Sequence, residues 1–274
     1  MIKSLIYRLK TRKYHALKYA KLGYRPFDII KLAWLGWNKP NGPNCLKDDL
    51  TTKVSARIKP LEGKSLTLCP IDICHLSIFE ELFVYHCYDL DLPGYSPEII
   101  LDIGAHIGLF SISASARWSS ALIFAFEPHP QNAEWARINF VRNKIPGCVI
   151  EAVAGSSTEP VYFDATGGMG KVTSGDGSIL LPSVDLKSFV HSFSGQRILI
   201  KMDIEGAELD LLPRLFEFIP AGTAIFVELH GSLGECEALM QLIRDYHYKI
   251  SINSHRLSQD RVEHYMDLFL APLN

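Results

Sequence analysis

The sequence contains no run of about 18 uninterrupted apolar residues, so it offers no transmembrane helix. Cysteine is sparse: Cys45, Cys69, Cys74, Cys87, Cys148 and Cys236 are scattered, with no CxxC pair and no histidine pair at zinc-finger spacing. That argues against a disulfide framework or structural zinc and makes them buried small hydrophobes of a reducing compartment. Low-complexity tracts and internal repeats are also missing. With 47% hydrophobic and 21% charged residues in 274, the chain is neither disordered, collagen-like nor a coiled coil. Positive charge is not in excess: 28 Lys and Arg stand against 30 Asp and Glu, a formal charge of −2, so no global field points to nucleic acid. The start, MIKSLIYRLKTRKYHALKYAKLG, has charges throughout and neither the apolar core nor the small-residue cleavage site of a secretory leader. A cytoplasmic protein is expected.

The charge that is present is unevenly placed. Residues 1–31 carry Lys3, Arg8, Lys10, Arg12, Lys13, Lys18, Lys21, Arg25 and Lys31 against the single acid Asp28. Beyond them lie 19 basic and 29 acidic residues, so an acidic globule bears a basic arm. Ile2, Leu5, Ile6 and Leu9 recur at helical spacing among the basic residues, which predicts a basic amphipathic helix. Such an arm suits docking on the globule with a solvated outer face, or peripheral contact with an anionic membrane or polyanionic substrate. Residues 38–48 are rich in turn formers and read as a linker. Around Glu62-Gly63 two short strands are expected, followed by an amphipathic helix in IFEELFVYHCY. The division expected is an N-terminal basic helical extension and linker over 1–60 and a main globular domain over 61–274.

From Glu98 the pattern alternates. Apolar runs at Ile99–Ile103, Leu122–Phe126, Val149–Ala154, Ile198–Met202 and Ala224–Leu229, with weaker ones at Tyr248–Ile252 and Leu268–Ala271, flank helical stretches at Gly108–Trp118, Gln131–Asn143, Ala207–Glu217 and Leu233–Tyr246. Repeated β-α units with near-continuous apolar strands predict an α/β fold, a parallel sheet covered on both faces. Residues 155–196 interrupt the alternation with a Gly/Ser-rich stretch, and Gly167–Gly177 is expected to close over a substrate.

Ligands of such sheets bind beyond the carboxyl ends of the strands. The first run ends as IILDIGAHIGLF, where Asp102, Gly104 and Gly108 make a D-x-G-x-x-x-G turn. An acid in place of the first glycine of G-x-G-x-x-G would repel pyrophosphate and suit a cationic or hydroxyl-bearing ligand. The second run ends at Glu127, 25 residues on, a carboxylate able to accept both hydroxyls of a ribose. The fourth run, RILIKMDIEGAELDLL, alternates Lys201, Asp203 and Glu205, which predicts one shared face. The next, IFVELHG, does the same with Glu228 and His230. Burying such charges unpaired costs several kcal/mol, so a purely structural strand would not carry them.

IILDIGAHIGLF, AFEPHPQNAEWARINF, ILIKMDIEGAELDLL and FVELHG, in that order, resemble the FkbM-type S-adenosylmethionine-dependent O-methyltransferases over roughly residues 75–271. His106 departs from the asparagine more usual there, and residues 1–60 have no secure counterpart. The resemblance implies a Rossmann-like class I methyltransferase sheet of order 3-2-1-4-5-7-6 with the last strand antiparallel, preceded here by an N-terminal helical or hairpin extension. It implies S-adenosyl-L-methionine as cofactor. The loop with Asp102, Gly104, His106 and Gly108 would hold its methionine part, Glu127 its ribose and the Glu151–Ala154 region with Ala152 its adenine, with Asp203 also in contact with the cofactor. A hydroxyl-bearing small molecule, sugar or glycan would be the acceptor, and nucleic acid would not. The basic arm points weakly toward an anionic or membrane-linked glycan.

A sugar hydroxyl needs a base to take its proton, and His230 is expected to fill that role, with Asp203 and Glu205 positioning the acceptor. Asp203, Glu205, Glu228 and His230 would alternatively suit Mg2+ or Mn2+. Competing expectations are a nicotinamide-dependent oxidoreductase, disfavoured by Asp102, and a non-catalytic binding protein that keeps the fold.

Overall fold

The computed structural model describes residues 2–37, 54–61, 64–71, 75–165, 171–173, 178–257 and 264–272. The linker expected at 38–48, the Glu62-Gly63 turn and most of the Gly167–Gly177 loop lie outside them. The chain opens with helices α1 (Ile2–Ala20) and α2 (Pro26–Trp37) and an antiparallel hairpin of β1 (Val54–Leu61) and β2 (Lys64–Ile71). The boundary expected after residue 60 thus falls inside β1. Helix α3 (Leu76–Phe83) leads to the alternating part, β3 (Ile99–Ile103), α4 (Leu109–Arg117), β4 (Leu122–Phe126), α5 (Pro130–Asn143) and β5 (Gly147–Ile150). The interruption holds short strands β6 (Val153–Gly155), β7 (Val161–Asp164), β8 (Lys171–Val172), β9 (Ile179–Leu181) and β10 (Ser183–Asp185), then α6 (Leu186–His191). The alternation resumes with β11 (Ile198–Met202), α7 (Glu208–Leu215), β12 (Ala224–Gly231), α8 (Leu233–Asp245), β13 (Tyr248–Leu257) and β14 (His264–Pro272).

Seven strands form the main sheet in the order β5-β4-β3-β11-β12-β14-β13. β5, β4, β3, β11 and β12 pair in parallel, while β14 runs antiparallel to both β12 and β13. This is the expected 3-2-1-4-5-7-6 arrangement with its antiparallel last strand. Every residue of β3 and of β11 is buried, as a strand covered on both faces requires.

The period of two sorts each strand between two apolar layers. Ile99, Leu101, Ile103, Ile198, Ile200 and Met202 join one core with residues of α6, α7 and α8. Ile100, Leu199, Ala224 and Phe226 join the other, with α3, α4 and the N-terminal Tyr19, Leu32 and Leu35. The N-terminal helices therefore share a core with the sheet. By the same parity Asp102, Lys201 and Glu228 stand on the second face, in line with the apolar residues two positions before them.

Local signals set the helix ends. Ser232 and Glu235 close a capping box on α8, and Asp185 caps α6 by accepting from Lys187 and Ser188. Among the described residues Cys87, Cys148 and Cys236 form no disulfide, and Cys236 alone of the three is buried. Cys148 is exposed on edge strand β5, which corrects its expected burial. No helix among the described residues is long and apolar enough to cross a membrane.

Candidate active site

The tip of β3 is built around a buried cation. Asp102 is fully buried; its Oδ2 accepts from Ser111 Oγ at 2.6 Å and its Oδ1 lies 3.6 Å from Lys201 Nζ. The ammonium donates to Gly104 O at 2.6 Å and stands 3.6 Å from Asp203 Oδ2. Burial pulls the lysine toward neutrality, but Asp203 and Asp102 outweigh it and hold the ammonium charged. Burial raises Asp102, with Lys201 and Ser111 opposing. Asp102 was expected to face the ligand. It instead braces the loop through Ser111 and Lys201, because β3 carries its side chain into the layer between sheet and α4.

The glycine at 104 has a packing cause. At φ +77°, a Cβ there would stand 1.8 Å from Asp203 O, so the tips of β3 and β11 can close on each other only with no side chain in between. Asp203 N in turn donates to Ile103 O at 3.0 Å. Gly108 and His106 also have positive φ, +79° and +52°, giving the loop its tight turn. The His106 ring meets that of His75 edge-on, with centroids 5.1 Å apart.

Glu127 stands at the tip of β4, nearly buried. Its Oε2 accepts from His106 N at 2.7 Å and its Oε1 from His129 N at 2.8 Å. Each oxygen keeps a lone pair for a hydroxyl donor. Burial pushes this carboxyl up to about 7, against the two backbone N–H groups. Ala152, expected near an adenine, is buried just past β5, where its N–H donates to Ile150 O. Neighbouring Glu151 is paired to Arg137 at 2.8 Å.

The acids of β11 do not share one strand face as expected. β11 ends at Met202, and Glu205 lies in the following turn at φ +55°, where Asp203 and Glu205 still come together. His230 Nε2 lies 3.9 Å from Asp203 Oδ1, 3.9 Å from Glu205 Oε2 and 3.7 Å from Glu228 Oε1. On the other side of the ring, Nδ1 is 3.3 Å from Glu208 Oε1. Burial alone would lower the imidazole, but Glu208, Asp203 and Glu228 raise it to about 9. The raised value favours the protonated ring, which stands among Asp203, Glu205, Glu208 and Glu228. Burial, followed by Asp203, raises the Glu205 carboxyl.

Two members of this cluster escaped the sequence reading. Glu208 is fully buried, with Oε1 accepting from Ile204 N at 2.5 Å and Oε2 from Gly206 N at 2.8 Å, so it ties the turn to His230. An acid at the start of the amphipathic α7 was the available signal. Asp267 is buried opposite Glu228 in the β12–β14 register, and a lone acid inside HYMDLFLAP marks it.

Asp203, Glu208 and His230 each bring one donor atom within 4.8 Å of the others. The set does not fit a divalent ion well. Both Glu208 oxygens already serve backbone N–H groups, and the Lys201 ammonium and the His230 imidazolium supply the positive charge that a metal would bring.

This sheet order, with a glycine turn at the first strand tip, a carboxylate at the second and charged residues at the fourth and fifth, defines a Rossmann-like methyltransferase fold. The family described as "Methyltransferase FkbM domain" matches residues 102–250. The chain belongs to this FkbM methyltransferase family. It is 30% identical over 174 residues to methyltransferase sdnD of Sordaria araneosa, covering 49% of this chain and 66% of that one. It is 27% identical over 143 residues to hexuronic acid methyltransferase AglP of Haloferax volcanii, covering 50% and 57%. To 31-O-demethyl-FK506 methyltransferase FkbM of Streptomyces tacrolimicus it is 32% identical over 97 residues, covering 32% and 36%. The matches thus span from about a third to two thirds of these relatives' length. Among solved structures, TYW2 of M. jannaschii in complex with AdoMet is 13% identical, with a TM-score of 0.45 over 81% of this chain and 88% of that one.

Proposed function

We propose that this chain is an S-adenosylmethionine-dependent O-methyltransferase whose acceptor is a neutral hydroxyl of a sugar, glycan or polyketide-like metabolite. The observation that carries this reading is the convergence of Asp203, Glu205 and Glu228 within 4 Å of the His230 imidazole, beside the Gly104 turn. The name of one relative, 31-O-demethyl-FK506 methyltransferase, supports methyl transfer to an oxygen.

The cofactor, when bound, supplies a methyl group on a sulfonium that leaves as a neutral thioether. The residues present fit it: the nearly buried Glu127 keeps acceptor capacity for ribose hydroxyls, and Gly104 and Gly108, at positive φ and without side chains, let a ligand approach the backbone at both ends of the turn. What remains for the chain is to align an oxygen in line with the methyl and to take its proton. Glu205, at the rim and with a raised carboxyl, is the proton acceptor. The His230 imidazolium, fixed through Nδ1 by Glu208, holds Asp203 and Glu228 in place to orient the acceptor. So acidic a surround favours a neutral hydroxyl over a carboxylate acceptor.

The test is transfer of a labelled methyl from S-adenosylmethionine to a panel of neutral sugars, hexuronic acids and macrolide alcohols, with products located by mass spectrometry. An ether on a neutral hydroxyl supports the reading. A methylated nitrogen or carbon, or a methyl ester, overturns it.

A further inference from the structure

We infer that the α1–α2 hairpin is a docking surface for an anionic lipid bilayer. The proposal is independent of the methyl-transfer chemistry and rests on how the hairpin divides its side chains. Helix α2 buries Asp28, Leu32, Leu35 and Gly36 against the rest of the molecule. Its opposite face carries Phe27, Ile30, Trp34 and Trp37, spaced as one helical stripe; Phe27 is 78% exposed and Ile30 64%. Two large apolar side chains this open, flanked by half-exposed tryptophans, are unusual on a water-facing helix.

The charge on the hairpin complements an anionic surface. On α1, Tyr19 faces the core, donating to Glu80 at 2.8 Å, while the opposite face presents Lys10, Lys13, Tyr14, Leu17 and Lys21. Arg25 and Tyr24 extend this exposed set at the turn. Asp28 is the sole acid of residues 1–37. It is buried and accepts from Arg25 N at 3.2 Å, so no carboxylate of residues 9–37 reaches the outer surface. The two helices are held as one body: a Cβ on Gly36 would lie 2.5 Å from His15 O. Exposed lysines, aromatics and aliphatics on a rigid helical pair match the chemistry of the lipid interface, where aromatic rings sit at headgroup level and basic groups meet anionic lipid. A nucleic acid would satisfy the lysines but not the Phe27–Ile30 stripe. A hairpin seated in this way would turn the sheet face bearing Asp102, Lys201 and Glu228 toward the bilayer side, since Tyr19, Leu32 and Leu35 share the core of that face.

The experiment is co-sedimentation of the full chain with vesicles of phosphatidylcholine alone and of phosphatidylcholine mixed with phosphatidylserine, with tryptophan emission recorded in parallel. Wild type should partition onto the mixed vesicles, with Trp34 and Trp37 emission shifting to the blue. Partition should fall as salt is raised. Lys10→Glu/Lys13→Glu/Lys21→Glu should lower it roughly fivefold or more per reversed lysine. Phe27→Ser/Ile30→Ser should lower it at least about tenfold and abolish the blue shift. Binding of S-adenosylmethionine should be unchanged in both variants, which separates this surface from the cofactor site. Partition that ignores phosphatidylserine content overturns the proposal. So does capture by heparin with no blue shift on vesicles, which would make the hairpin a polyanion site. The salt titration of wild type decides the matter even if a variant fails to fold.

Discussion

Glu208 Oε1 lies 3.3 Å from Nδ1 of His230, linking the turn after the fourth core strand to the tip of the fifth. The same carboxylate accepts from Ile204 N and Gly206 N, so one buried side chain shapes the turn that carries Glu205 and fixes the histidine ring.

Replacing Glu208 by glutamine should therefore return the imidazole from about 9 toward its ordinary value near 6.5. The His230 Cε1–H chemical shift followed against pH reads this directly. Because the folded value is raised, the stability that His230 contributes is full below about 6.5 and lost as pH rises through about 9. The melting temperature of wild type should fall across that window, and His230→Ala should flatten the fall. A histidine that titrates near 6.5 in wild type contradicts the assignment.

Glu127 should make cofactor binding pH-dependent in the opposite direction. Its carboxyl sits near 7 in the ligand-free protein, and ribose hydroxyls need the ionised form as acceptor. Affinity for S-adenosylmethionine should fall by up to about tenfold per pH unit below 7. Glu127→Ala should weaken binding by at least tenfold, about 1.4 kcal/mol, and remove the pH dependence. For stability the sign is reversed: the raised carboxyl costs stability as pH climbs from about 4.5 to 7, which thermal melts of wild type and Glu127→Ala will show.

Gly104→Ala should cost about 3 kcal/mol or more, because a Cβ would meet Asp203 O at 1.8 Å on a backbone of φ +77°. Gly94→Ala, at φ +76° but with nothing within 4 Å, should cost about 1 kcal/mol. Denaturant melts of the pair separate close approach from backbone conformation. Equal losses would show that the strand tips can part.

Lys201→Met should destabilise the fold by about 3–5 kcal/mol by leaving Asp102 buried without its cation. Adding Asp102→Asn should recover part of that loss in a double-mutant cycle.

Much of this was legible in the sequence. The limits of β3, β4 and β11 coincide with apolar runs bounded by turn residues, and strands covered on both faces, as the fully buried β3 and β11 are, admit little else. Lys201, Glu228 and His230 betrayed themselves as charges inside such runs. Less visible were the roles. Asp102 and Glu127 look alike at two strand tips, yet side-chain parity carries one under the loop, while the other, at the tip itself, keeps lone pairs for a ligand. Alternation also failed at Glu205, where the strand had already ended and the chain turned through positive φ. Glu208 and Asp267 reach the cluster only through contacts between elements, which spacing along one element does not encode. The antiparallel β7–β9 sheet was hidden because its strands are two to four residues long.

The central claim is tested most directly by calorimetry with S-adenosylmethionine, its demethylated product and NAD+ in separate titrations of the full chain. The account predicts micromolar binding of the two methionine-derived ligands, unchanged by added Mg2+, and none of NAD+. Binding of NAD+ alone, or of none of the three, would contradict it.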